Sequence, residues 1–125
     1  MPPAYGCVVD VHYPGFGTIV VDGVRFDHDV VVEAGAVRRR EKGPSKSHRA
    51  DFGHTPLSPA EDIPWTAPRL VIGTGANGRL PIMRGVMDAA DEHGVQVTTL
   101  PTAEACELLR SIDDPNVNAI LHVTC

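Results

Sequence analysis

Residues 69–83 read RLVIGTGANGRLPIM. The apolar run Leu70-Val71-Ile72 passes directly into a glycine-rich turn and then meets Pro81, a residue whose fixed φ suits the first turn of a helix. Strand, tight turn and helix in that order open a βαβ unit, and the rest of the chain continues it. The pattern predicts a helix over residues 82–93, a strand over 95–99, a helix over 103–111 and a strand over 119–123. Ile82, Val86, Ala90 and His93 recur at helical spacing as the core face, with Met83 and Met87 as gap-fillers beside them. Gly94 supplies a helix C-terminal turn and Thr102 an N-cap, so both crossovers are short enough to be right-handed. A mixed sheet with helices on one face is expected. The segment 119–123 lacks alternation and is apolar apart from His122, which places it inside the sheet and requires a buried His122 to find a hydrogen bond.

Upstream of residue 69 the chain is β-rich. Thr18-Ile19-Val20-Val21 and Val24-Arg25-Phe26 flank Asp22-Gly23, a dipeptide suited to the tight type I′ hairpin turn. Val30-Val31-Val32 predicts a further strand that turns at Glu33-Ala34-Gly35 into residues 36–39. Residues 43–54 show neither period and are expected to form a loop, and Ser58-Pro59-Ala60-Glu61 spells a capping box for a short helix stopped by Pro64. Residues 1–17, rich in Pro and Gly, are expected to be a partly ordered lead-in to one domain over 18–125. The predicted class is α/β, of three-layer β/β/α type: a central mixed sheet with helices and an N-terminal β-rich layer.

The segment GTGANG formally matches a dinucleotide-binding pattern at Gly73, Gly75 and Gly78. Such a site also needs an acidic residue about 20 positions further on to hold the ribose. This chain has Val95-Gln96-Val97-Thr98-Thr99-Leu100 there, so no dinucleotide or other cofactor is expected. The turn still offers backbone N–H groups to an anion. Gly73, Thr74, Gly75 and Arg79, joined by His54 from the loop before the capping box, make a candidate ligand or anion pocket.

A length of 125 residues suits one domain with one core, and the net charge is −5. That charge is uneven. Arg38, Arg39, Arg40, Lys42, Lys46 and Arg49 stand against Glu41 alone, a window of +5 that leaves −10 elsewhere. The window is a candidate basic patch for a protein partner. The acidic remainder and the lack of any nucleic-acid-binding motif argue against nucleic acid. No apolar segment approaches a membrane span and no secretory leader pattern is present, so a soluble cytoplasmic protein is expected. Cys7, Cys106 and Cys125 are odd in number and widely spaced, consistent with reduced thiols, and the six histidines lack metal-ligand spacing. No set of residues completes a catalytic constellation.

LVIGTG at residues 70–75, Pro101-Thr102-Ala103-Glu104-Ala105 and NAILHVTC at 118–125 resemble motifs of the family of small domains that includes the adipogenesis-associated Mth-domain-containing proteins. Gly53-His54-Thr55-Pro56-Leu57-Ser58 is similar to prokaryotic members with loops like the RRREKGPSK of residues 38–46. The resemblance implies a central mixed sheet packed by helices and by an extra β layer. A mitochondrial branch of that family is associated with assembly of respiratory complex I, which implies protein contacts rather than catalysis. The expected function is a non-catalytic protein-binding or assembly module; the alternative is a small-molecule or anion-binding protein or enzyme using residues 73–78 with Arg79 and His54.

Overall fold

In the computed structural model, which describes residues 10–112 and 116–125, the described residues form eight strands in two sheets. Strands β1 (Val11–Gly15), β2 (Thr18–Val21) and β3 (Val24–Phe26) make a small antiparallel sheet in that order. The larger sheet contains β4 (Val30–Glu33), β5 (Ala36–Arg39), β6 (Arg69–Thr74), β7 (Gln96–Leu100) and β8 (Val117–His122), ordered β5-β4-β8-β6-β7. Strand β8 pairs antiparallel with β4 and parallel with β6, so it joins the hairpin half of the chain to the βαβ half. The β2-β3 and β4-β5 hairpins turn through left-handed pairs, Asp22 (φ 49°) with Gly23 (φ 82°) and Ala34 (φ 51°) with Gly35 (φ 81°), as type I′ turns demand. Strand β1 lies within the expected lead-in.

Helices α2 (Arg84–His93) and α3 (Thr102–Ser111) carry the two crossovers. From β6 the chain crosses through α2 to β7 on one side, then returns through α3 past β6 to β8 on the other. Right-handed crossovers running in opposite directions place their helices on opposite faces. This corrects the expectation of helices on one face. Val86 of α2 packs with Leu70, Ile72, Ile120 and Val31, beneath Leu57 and Ile63. Ala105, Cys106 and Leu109 of α3 share the other core with Val71, Ala119 and Leu121, and with Val11, Ile19 and Val21 of the small sheet. The alternation of β6 thus feeds two cores, with three layers: α2 and residues 57–65, the large sheet, and α3 beside the small sheet.

Four local expectations fail for identifiable reasons. Residues 43–54 contain a 3-10 helix (Gly43–His48) with Pro44 in its first turn, followed by α1 (Arg49–Phe52), which ends at Gly53 in the left-handed conformation, φ 76°. No helix follows Ser58: the Glu61 amide donates to the Ser58 carbonyl (3.2 Å) in a turn, and the Glu61 carboxylate is drawn to Arg40 and Ser45. Helix α2 starts at Arg84, later than Pro81 suggested, because Leu57 and Ile82 form a parallel bridge; the Leu57 amide donates to Pro81 (2.9 Å) and the Met83 amide to Leu57 (3.0 Å). Thr102 is no cap, since its hydroxyl donates to the His122 carbonyl (2.6 Å) and accepts from the Gly75 amide (2.8 Å). Along α2, Val86 and Ala90 are buried as expected, whereas Met87 is exposed and His93 stacks on Trp65 at 5.3 Å.

Candidate functional site

The glycine turn at the end of β6 is already engaged. The Ala76 amide donates to the Thr124 carbonyl (2.8 Å), and the amides of Asn77 (3.0 Å) and Arg79 (3.2 Å) donate to the Cys125 carbonyl. Gly75, at φ 103°, permits this approach: a Cβ there would lie 2.3 Å from the Cys125 carbonyl carbon and 2.4 Å from the Thr124 oxygen. The amides expected to face an anion therefore hold residues 124 and 125. Thr74, beside them, is buried at the end of β6. His54 lines a small cleft with Lys42, Arg49, Thr55, His122, Thr124 and Cys125, and no residue of the glycine turn borders it. His54 and the turn thus border the final residues separately.

A buried polar cluster lies next to that cleft. Arg40, 4% exposed, makes a bidentate pair with Glu61 (Nε to Oε1 and Nη2 to Oε2, both 2.8 Å), reaches Asp29 Oδ2 through Nη1 (2.8 Å) and donates to the Pro56 carbonyl (3.1 Å). Ser45 donates to Glu61 (2.5 Å) and meets Ser58 at 2.6 Å. The Asp29 carboxylate also accepts from the Val123 amide (2.9 Å) and from His122 Nδ1 (2.7 Å). Burial alone would raise the pKa of Asp29, but the hydrogen bonds and charges of His122, Val123 and Arg40 win and hold it down at about 2. Among the described residues no buried side-chain nitrogen or oxygen lacks a partner. A buried arginine between two carboxylates is tolerable only when satisfied in this way.

Above the cluster opens a cleft of about 500 Å³. Asp29, Arg40, Val123 and Thr124 line it together with His28 and Gly43; Arg39, Lys42 and Lys46 bring positive charge, and Asp27 and Glu41 bring negative charge. Lys42 and Thr124 belong to this cleft and to the smaller one, of about 180 Å³, that holds His54 and His122. His122 Nδ1 donates to the ionised Asp29, and the Thr124 hydroxyl stands 3.2 Å from Nε2.

The predicted basic patch is divided by strand geometry. Arg38 points away, to Glu33 and Asp62 (both 3.6 Å), and Arg40 is buried. Arg39, Lys42, Lys46 and Arg49 line the two clefts, and among the described residues no ion pair engages them. Cys106 is buried in the α3 core, where desolvation, only partly opposed by Arg110, pushes its thiol up to about 12. Cys7 lies outside the described residues.

Sequence reasoning did not find the Asp29, Arg40, Glu61 cluster. The one signal available was Arg40, a third consecutive arginine closing a strand, and Glu61 was absorbed by a capping-box motif that the fold does not use. The hydrogen-bonded, buried His122 was foreseen.

Comparison with known proteins adds family and fold. The family model described as "Protein of unknown function (DUF498/DUF598)" matches residues 11–112. A conserved hypothetical protein from Pyrococcus horikoshii has a similar structure at 30% identity and TM-score 0.77, covering 92% of this chain and 98% of that one. The structure named MT938 is 26% identical with TM-score 0.68, covering 94% and 99%. A Mth938-like domain of Bordetella pertussis, 20% identical with TM-score 0.63 and coverage of 98% and 90%, bears on the fold alone. A comparison with curated proteins returns no match. No helix among the described residues is long and apolar enough to cross a membrane.

Proposed function

The chain belongs to the Mth938-like DUF498/DUF598 domain family, whose function is unknown, and we propose that it is a cytoplasmic protein that binds a small anionic molecule in the paired clefts. The observation that carries this is the gathering of Arg39, Lys42, Lys46 and Arg49, without ion-pair partners among the described residues, on a chain whose net charge is −5. Like charges brought together repel, and an acidic chain has carboxylates to spare for neutralising them. An anion in the cleft relieves that repulsion. Of the carboxylates at the cleft, Asp29 is held together with Glu61 by Arg40 and Asp27 is paired with Arg25, which leaves Glu41 against Arg39, Lys42 and Lys46. The anion seat is the wall between Lys42 and Thr124, one step removed from the glycine turn.

Inorganic phosphate, sulfate and small dicarboxylates, compared in a thermal-shift series, test the assignment. Ligand at 100 times its Kd stabilises by about 2.7 kcal/mol, and the charge reversals Lys42→Glu and Arg49→Glu are expected to remove that gain. Identical melting in all anions at constant ionic strength would exclude it.

The second reading is an assembly module close to the adipogenesis-associated branch, with a protein partner. Phe16 (66% exposed), in the turn between β1 and β2, and Val24 (55%), on β3, favour it. Pull-down with Phe16→Ser as the comparison separates a specific partner from background.

A further inference from the structure

Thr124 stands where the two clefts meet, and its hydroxyl faces an imidazole that a buried carboxylate has fixed in one tautomer. We propose that Thr124, His122 and Asp29 form a nucleophile, base and orienting carboxylate, and that the cleft hydrolyses esters of small anionic carboxylic acids. The proposal rests on the anion-binding reading of the same cleft.

Three features of the geometry support it. Asp29 Oδ2 lies 2.7 Å from His122 Nδ1, while Oδ1 is pinned by the Val123 amide at 2.9 Å, so the carboxylate cannot rotate away. Arg40 holds the same carboxylate from behind at 2.8 Å and is itself locked to Glu61. The third feature is position: Nε2 faces the Thr124 oxygen at 3.2 Å, and in the neutral ring, whose one proton goes from Nδ1 to Asp29, its lone pair lies where a proton moves when a hydroxyl is activated. The strand places the pair, since alternation puts residues 122 and 124 on one face while Leu121 and Val123 enter the core. Thr124 is only partly buried, so a substrate can reach it.

In the first step Thr124 Oγ1 attacks the ester carbonyl carbon and its proton passes to His122 Nε2. The carbonyl oxygen becomes an oxyanion in the field of Lys42, which borders both clefts. Collapse breaks the bond to the alcohol oxygen, and the imidazolium returns the proton to it. Water then attacks the acyl-threonine and gives a proton to Nε2; the bond to Oγ1 breaks, and Oγ1 recovers the proton. One ester and one water become one acid and one alcohol, with no redox change. Arg39 and Lys46 select acyl groups that carry a free carboxylate.

The test uses 4-nitrophenyl hemisuccinate and the uncharged 4-nitrophenyl acetate with the parent chain, Thr124→Val and Thr124→Ser. The parent is expected to hydrolyse the anionic ester preferentially and to carry a succinyl group on Thr124, located by peptide mass spectrometry after acid quench. Thr124→Ser keeps the activity, and Thr124→Val loses at least about a hundredfold. Parent-like hydrolysis by Thr124→Val, or acylation of Cys125 or a lysine with none at Thr124, overturns the proposal. If Thr124→Val does not fold, the acylated residue in the parent and in Thr124→Ser decides. Succinate binding measured alongside separates the two claims: binding without acylation ends the hydrolytic one and leaves the anion site, whereas absence of both ends both.

Discussion

Asp29 collects three donors on one carboxylate, from the neighbours His122 and Val123 and from Arg40, far from both along the chain. Because its folded value of about 2 lies below its ordinary 3.8, its stabilisation is complete above about pH 4 and is lost as the pH falls toward 2, where the unfolded chain has already taken up its proton. The contribution is about 2 kcal/mol. Guanidinium unfolding between pH 7 and pH 2 is expected to show this acid-dependent loss in the parent and not in Asp29→Asn, which starts lower by about 3–5 kcal/mol because Arg40 loses a buried partner. An equal acid slope in both would assign the loss to other carboxylates. None of this was visible in the sequence, where Asp29 is only a charged residue beside a run of valines. Its partners lie 11 and 93 residues away, and Arg40 finds Glu61 across 21, distances at which a local pattern carries no information.

At the scale of the element, the sequence was most informative where backbone conformation is dictated locally. Asp22-Gly23 specified its hairpin because only residues tolerant of positive φ fit a type I′ turn. Ala34 occupies the equivalent place in the second hairpin at φ 51°, and there it is a poor choice, since its Cβ crowds the backbone in that conformation. Ala34→Asn is therefore expected to stabilise the fold by about 1 kcal/mol, read as a higher denaturation midpoint with an unchanged m-value. A lower midpoint would mean that Asn disturbs the bond from the residue 34 amide to Asn118 Oδ1 (3.0 Å). Signals that depend on side chains choosing a local partner were less trustworthy. Ser58 to Glu61 has the letters of a capping box, yet a buried guanidinium outcompetes one backbone amide for the carboxylate. Pro81 likewise suits a first helical turn, but pairing of Leu57 with Ile82 keeps the chain extended there.

For the molecule as a whole, alternation of strand and helix after residue 69 identified the α/β class, and residues 119–123, apolar apart from His122 and without alternation, identified an interior strand. Which face each helix takes followed from strand order, which no single segment encodes. Strand β8 lies between β4 and β6, with buried side chains along its entire length. Deleting residues 118–125 exposes apolar surface on both faces and removes an acceptor of the Gly75 turn; the loss exceeds a typical net stability of about 5–15 kcal/mol, so calorimetry is expected to show no cooperative transition. A truncated chain melting cooperatively near the parent temperature would contradict the central role of β8. The position of β8 also constrains biosynthesis. While the chain emerges from a ribosome, the hairpin of β4 and β5 and the pair β6 and β7 are synthesised first, and the inner edges of β4 and β6 have no partner until residues 117–122 arrive. Two open sheet edges during translation are a template for the wrong neighbour, and the nascent domain is most prone to aggregate in the interval before β8 enters between them.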